Sequence, residues 1–403
     1  MPMLAPLSGP QLLVRFHVLD ALLLEHQEFW RPRPFTRQQL PWESKHEQLA
    51  AWLRGRTLAD AEAAHNHPEL LQAPWPYSEL AAQTAELSAV GELPQSALMK
   101  RPSRLNSGVP GRKWRQIEAF ASCLQFAQQP HHWLDWCSGK GHLGRLLVLD
   151  GGALTCLEND AALVATGQQL SERAGLIAAH LQQDVMAASV QLHAEQTPVA
   201  LHACGDLHVR LLQLASHSGC RQLAVAPCCY NRISTPNYQA LSETAKTSAL
   251  QLSLDDLGLP LSETVTAGAR VRRQRDQSMA WRLAFDLLQR QLRGVDDYLP
   301  TPSLAPAWLS ASFADYCQHL AALKQLPAPS AQDWHALENQ GWRRLAEVRN
   351  LELLCGLFRR PLELWLLLDR ALYLQEQGYS VRLGSFCPSQ LTPRNLLLLA
   401  ERL

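Results

Sequence analysis

The stretch His132-Trp133-Leu134-Asp135-Trp136-Cys137-Ser138-Gly139-Lys140-Gly141-His142-Leu143-Gly144-Arg145-Leu146-Leu147 constrains the fold more than any other part of the chain. An apolar, strand-like segment runs through two glycines into a helical apolar pattern, which predicts a buried strand, a tight turn and a helix start. A second strand-like run, Leu154-Thr155-Cys156-Leu157-Glu158, ends in a carboxylate seventeen residues beyond Gly141. Glycines that let a ligand approach the backbone, with an acid at the next strand tip to accept ribose hydroxyls, describe a nucleotide-type pocket.

The pattern continues beyond Glu158. Strands are predicted at 133–136, 154–158, roughly 181–185, 199–204 and 222–226, with helices at about 142–149, 160–174 and 206–217 between them. Such alternation predicts right-handed crossovers and a parallel, doubly wound sheet whose ligands sit at the carboxyl ends of the strands. A helix over 114–128 precedes the first strand.

The flanking regions read differently. Residues 1–98 show helical periodicity (Leu12, Leu13, Phe16, Leu19, Leu22, Leu23) with little strand character and are expected to be a helical N-terminal region. The core is expected over 99–258, a mostly helical insertion over 259–358 with a helix at about 278–293, and the end of the core over 359–403. That last part holds a helix over 362–377 and strands at 381–386 and 396–400, which suit an antiparallel pair closing the sheet.

Composition removes several function classes. Thirty-seven basic and thirty-seven acidic residues cancel, so bulk charge does not make the chain a polyanion binder. Basic residues cluster locally, at Lys100, Arg101, Arg104, Arg112, Lys113 and Arg115 and at Arg270, Arg272, Arg273 and Arg275; either group suits RNA phosphates, an acidic protein or plain solvent. The longest apolar run, Leu362 to Leu374, is interrupted by Asp369 and Arg370 and is too short to cross a bilayer, so no membrane partner is expected. Ten cysteines at irregular spacing and no secretory pattern at the start point to a reducing, cytoplasmic setting.

The chemistry-bearing residues gather at predicted strand ends. Asp135 is a charge in a run that should be buried, costly unless it orients the glycine loop or a ligand. With Glu158 and Asp184 it gives acids at three successive strands: one to shape the loop, one for the ribose and one for the adenine amino group. The fourth strand ends in Leu201-His202-Ala203-Cys204-Gly205-Asp206 and the fifth in Ala226-Pro227-Cys228-Cys229-Tyr230. His202 is a candidate general base, and Asp206 either orients it or caps the next helix. Cys228 and Cys229 line the substrate pocket in this reading, with Tyr230 stacking on a planar group. Adjacent cysteines do not easily close one tetrahedral site and no C-x-x-C partner exists, so no metal is expected.

The order Asp-x-Cys-Ser-Gly-Lys-Gly-His-Leu, Glu158, His-Ala-Cys-Gly-Asp, Cys-Cys-Tyr, the run Leu367 to Glu376 and Thr392-Pro393-Arg394-Asn395 resembles the class I S-adenosylmethionine-dependent methyltransferases. Within them it is similar to the methyltransferase domain 32 type group, and more distantly to tRNA acceptor-stem 2'-O-methyltransferases. The likeness covers roughly 99–257 and 360–403. It implies an α/β, Rossmann-like seven-stranded sheet with an antiparallel last strand and S-adenosylmethionine as cofactor. It also implies that Asp135, Gly139, Gly141 and Leu143 hold the methionine end, with Cys137 and Cys204 beside them, Glu158 the ribose and Asp184 the adenine. Lys140 meets either the cofactor carboxylate or solvent. The Asn/Asp-Pro-Pro-Tyr tetrad of amino-methylating enzymes and the Lys-Asp-Lys-Glu set of ribose methylators are both missing, which leaves the acceptor atom open. RNA is the favoured acceptor and a protein side chain the next, with a non-catalytic cofactor-binding scaffold and, more weakly, a nicotinamide oxidoreductase as alternatives.

Overall fold

The computed structural model describes residues 4–97, 105–106, 108–262, 268–329 and 333–402. Lys100, Arg101 and Arg104 of the first basic cluster lie outside them. The chain divides into two compact units, one of Met1–Glu25, Leu87–Leu261 and Arg360–Leu403 and one of His26–Glu86 and Ser262–Arg359.

The first unit is built on one eight-stranded sheet: β1 (Leu7–Ser8), β2 (His132–Trp136), β3 (Ala153–Glu158), β4 (Ala178–Gln182), β5 (Gln196–Cys204), β6 (Gln222–Cys228), β7 (Tyr379–Ser385) and β8 (Leu396–Arg402). The strand order is β1-β7-β8-β6-β5-β2-β3-β4. Strands β2 to β6 pair in parallel, and β8 runs antiparallel to both β6 and β7. This is the Rossmann-like α/β sheet with an antiparallel closing strand that the sequence predicts. The short β1, which the sequence does not reveal, adds an eighth strand through Leu7 and Ser8 opposite Leu383 and Arg382. From β2 the chain winds outward through β3 to β4, then returns to the other side of β2 at β5. The carboxyl ends of β2 and β5 therefore flank a topological switch point, where open α/β sheets bind ligands.

Strand β4 sits three residues earlier than predicted. As an edge strand it takes its register from β3, with Leu154 opposite Ala178 and Glu158 opposite Gln182, and the apolar signal of Leu181 is spent on a side chain that is 49% exposed. The helix before β2 also ends earlier than predicted: α2 covers Gly111–Ser122, burying Trp114, Ile117, Phe120 and Ala121.

Helices α3 (His142–Leu147), α4 (Ala161–Arg173) and α5 (Asp206–His217) connect the parallel strands, and α6 (Arg359–Glu376) precedes β7. α4 starts where Asp160 accepts from the amides of Ala162 and Leu163 at 2.8 and 3.2 Å, satisfying donors that a helix start leaves open. One core gathers Trp114, Phe120, Trp133, Leu143, Leu146, Leu154, Phe386 and Leu397. The expected N-terminal helical region is divided between the units. Helix α1 (Pro10–Glu25) belongs to the sheet unit, burying Leu12, Phe16, Leu19, Leu22 and Leu23, with the Phe16 ring 5.2 Å from that of Trp365.

The second unit is helical and draws on two separated segments. Trp281, Phe285, Leu288, Phe313, Tyr316 and Leu320 form one of its cores. Arg54 ties the segments by donating to Glu43 and Glu347, each at 2.7 Å, and the buried Asn350 donates to the carbonyl of Thr57 at 2.9 Å. No helix among the described residues is long and apolar enough to cross a membrane.

Candidate active site at the strand ends

The turn after β2 is held by backbone that only a few residues adopt freely. Cys137, Gly139 and Gly141 have φ of 53°, 57° and 67°, the left-handed region. The two glycines have different jobs. A Cβ on Gly141 would lie 2.5 Å from the His180 ring and 2.9 Å from Cys156 Sγ, whereas one on Gly139 would meet nothing within 4 Å. Gly141 therefore serves internal packing, and Gly139 is the glycine that leaves open space for a ligand.

Three neighbouring groups fix this turn. Asp135, buried in β2, accepts from the Gly144 amide at 2.9 Å. Burial pushes its carboxyl up to about 7, against the lowering pull of that amide, Arg145 and Lys113. Arg145, which carries no distinguishing signal in the sequence, is buried, donates to the Lys140 carbonyl and meets His142 Nδ1 at 2.7 Å. Glu158 accepts from Gly139 N at 2.9 Å on one oxygen and from Asn159 N and Asp160 N at 2.9 and 3.0 Å on the other. A carboxylate has about four acceptor positions; three are filled by amides, so the oxygen facing Gly139 keeps room for a ligand hydroxyl.

Leu143 packs in the hydrophobic core with Leu146 and Leu154. The Lys140 side chain is exposed. Asp184 is exposed just past β4, its carboxylate accepting from Met186 N at 2.9 Å. The Cys137 thiol shows how these groups converge. It is pushed up to about 12 by burial and then by Glu158, Asp135, Cys204 and Asp184 together.

On the other side of the switch point, β5 carries a bulge. Its register with β6 shifts between Leu201 and Ala203, and the extra residue, His202, has φ 64°. His202 Nε2 meets Gln116 Oε1 of α2 at 3.0 Å, and burial, reinforced by Arg394 and Lys113, lowers its pKa to about 4. It is thus neutral at physiological pH and a weak base. Asp206 does not orient it: its carboxylate accepts from Ser234 N at 2.8 Å. Nor does it cap α5, where Gly205 occupies the cap position.

The bulge returns Cys204 to register opposite Cys228, with the two sulfurs 3.4 Å apart. Cys228 also donates to the His202 carbonyl at 3.1 Å. The hydrogen bond shared with Cys228 lowers the Cys204 thiol to about 6, while Cys228 is driven strongly upward by the same partner. Cys229, φ 48°, completes a group whose three sulfurs lie within 4.8 Å of one another.

Tyr230 departs from its expected role. Its ring is 1% exposed, packed edge-on against His208 at 6.0 Å and under the Arg370 guanidinium at 5.3 Å, so it supports the loop from inside and does not stack on a substrate. The residues behind it stand out in the sequence only as charges interrupting an apolar run. Arg370 Nε donates to His208 Nε2 at 2.7 Å and Nη1 to Tyr238 Oη at 3.0 Å. Asp369 accepts from Tyr238 Oη and from the amides of Leu241 and Ser242 at 2.9 and 2.7 Å.

The family model of a methyltransferase domain matches residues 112–236. Residues 112–236 form a methyltransferase domain. The sheet to which these residues belong, closed by the antiparallel β8 from the end of the chain, has the arrangement expected above for a class I methyltransferase. The methyltransferase domain match spans β2 through β6 and the site residues from Gln116 to Tyr230, but not Tyr238, Asp369 or Arg370, and covers less than a third of the chain. Solved structures similar to this chain include the Pyrococcus abyssi tRNA (uracil-54, C5)-methyltransferase in complex with S-adenosyl-L-homocysteine, at 16% identity over 28% of this chain and 28% of that one, with TM-score 0.24. A SAM-dependent methyltransferase from Aquifex aeolicus matches at 13% identity over 36% and 70% of the two chains, TM-score 0.22. Coclaurine N-methyltransferase bound to N-methylheliamine and SAH matches at 12% identity over 84% and 89%, TM-score 0.27. The chain spans less than a third of the length of the archaeal tRNA enzyme.

Proposed function

We propose that the chain transfers the methyl group of S-adenosylmethionine to RNA presented at the rim between β5 and β6. The observation that carries this reading is Lys113, an exposed cation of α2 three residues before Gln116, whose side chain meets His202 at the bulge of β5. A positive charge near the strand ends suits a substrate that carries phosphates.

The residues present fit the cofactor. Gly139 supplies the open approach, Cys137 lies beside it, Glu158 has an acceptor position for a ribose hydroxyl, and exposed Asp184 is placed for an amino group. Bound S-adenosylmethionine supplies an already activated sulfonium methyl. The chain's own part is to hold and orient: Asp135 and Arg145 fix the turn, Glu158 ties it to β3, and the bulge at His202 shapes the acceptor side. Neutral His202 is suited to hydrogen-bonding an acceptor, and its low pKa argues against it as the main proton acceptor. A cytoplasmic setting is part of the proposal, supported by ten unpaired cysteines.

Transfer of tritiated methyl to size-fractionated cellular RNA and protein tests the reading. Label is expected in an RNA fraction, reduced at least tenfold in Lys113→Glu while cofactor affinity changes less than about twofold. Label in protein alone would replace RNA by a protein side chain, and cofactor binding without transfer to either would favour a non-catalytic scaffold.

A further inference from the structure

We propose that Cys204, Cys228 and Cys229 bind a single zinc(II) ion as three thiolates, with a fourth coordination position left open at the strand ends. A zinc–sulfur bond of about 2.3 Å in tetrahedral geometry separates the sulfurs by about 3.8 Å. Here the Cys204 and Cys228 sulfurs are 3.4 Å apart and all three lie within 4.8 Å of one another. Small side-chain adjustments close the group around an ion.

The sequence argues against a metal because adjacent cysteines do not easily close one tetrahedral site and no C-x-x-C partner exists. Two backbone features remove that objection. The bulge at His202 slips β5 by one residue and brings Cys204 level with Cys228. The left-handed conformation of Cys229 ends β6 and turns its side chain back to the side of Cys228. Both positive-φ residues are non-glycine, and strain of that kind persists where surrounding structure demands it and concentrates at functional sites.

The burial pattern supports an open position. Cys228 is buried, while Cys204 and Cys229 are half-buried, so one side of the group faces outward. Structural zinc sites are closed by four protein ligands, whereas sites with three protein ligands keep a position for water or substrate. All-sulfur donors favour zinc or copper(I) over oxygen-seeking cations. Loading releases the thiol protons to solvent as the zinc–sulfur bonds form. The inference concerns metal uptake and stands whether the methyl acceptor is RNA, protein or neither.

The test uses the full chain, reduced and stripped with a chelator, then titrated with cobalt(II) as a spectroscopic stand-in and back-titrated with zinc. One equivalent of cobalt is expected to give thiolate charge-transfer and tetrahedral d–d bands that zinc abolishes. Cys204→Ser, Cys228→Ser and Cys229→Ser should each weaken binding at least tenfold, while Cys317→Ser, in the helical unit, leaves it unchanged. Should a serine variant fail to fold, the wild-type chain still decides, through a rise in its thermal midpoint on adding zinc. Absence of the bands in the reduced wild-type chain would overturn the proposal, as would equal binding by the triple serine variant. A Cys204–Cys228 disulfide on oxidation, with no metal uptake by the reduced chain, would make the pair a redox element instead.

Discussion

The Gly139 amide donates to Oε2 of Glu158 across 2.9 Å, joining the turn after β2 to the tip of β3. One carboxylate thereby anchors the loop and keeps one acceptor position free of amides. In the proposed function that position takes a ribose hydroxyl.

Glu158→Ala removes both. Cofactor affinity measured by calorimetry is expected to fall tenfold or more, since a hydrogen bond to a charged group is worth about 1.5–3 kcal/mol. Unchanged affinity would show that the ribose does not lie at this strand tip.

Gly205→Ala tests the seam between β5 and the loop after β6. Its φ is 47°, and a Cβ would lie 1.8 Å from the Arg232 carbonyl oxygen, which cannot move without breaking its bond to Asp206 N at 3.0 Å. The substitution should cost about 2–5 kcal/mol in urea unfolding, combining backbone strain with overpacking. Gly219→Ala, also at positive φ but with nothing within 4 Å, should cost only about 1–2 kcal/mol. Equal losses at the two positions would show that the Arg232 contact is soft.

Asp135 makes stability depend on pH with a definite sign. Its folded pKa, about 7, lies above the ordinary value of 3.8, so the folded state retains a proton that the unfolded chain gives up. The contribution is fully present below about pH 4 and is lost as pH rises through 7. Asp135→Asn keeps an acceptor for Gly144 N and cannot ionise. Its stability relative to wild type should therefore improve by a few kcal/mol between pH 4.5 and pH 7.5 in paired denaturant titrations. A constant difference between the two proteins would mean that Asp135 ionises freely.

Arg370→Leu should destabilise the sheet unit by about 3–5 kcal/mol, because it breaks one side of a buried charged network and orphans its partners. His208 Nε2 and Tyr238 Oη both lose a donor. Arg370→Lys should recover little, lacking the guanidinium fork that reaches both. Chemical denaturation monitored by tryptophan fluorescence checks this, and a loss under 1 kcal/mol would show that the network is dispensable.

Much of the sheet was legible because strand periodicity, crossover handedness and strand-end acids are local or nearly local signals. Strands β2, β3, β6 and β8 lie within two residues of their predicted positions, and the acids Asp135 and Glu158 lie where the turn needs them. β4 slipped because an edge strand borrows its register from its neighbour. β1 is two residues long and carries almost no pattern. The helical unit was hard to see as one body because its halves, around Glu43 and Glu347, are some three hundred residues apart in the chain.

By itself the sequence determined a doubly wound sheet with a glycine turn and a carboxylate at its switch point, since apolar spacing and glycine content act over a few residues at a time. Tertiary packing decided which glycine has open space beside it: His180, from β4, fills the space beside Gly141 and leaves Gly139 open. It likewise buried Tyr230 under Arg370 and brought Cys204 against Cys228. These outcomes depend on a bulge and on side chains arriving from distant strands and helices, contacts that no local spacing encodes.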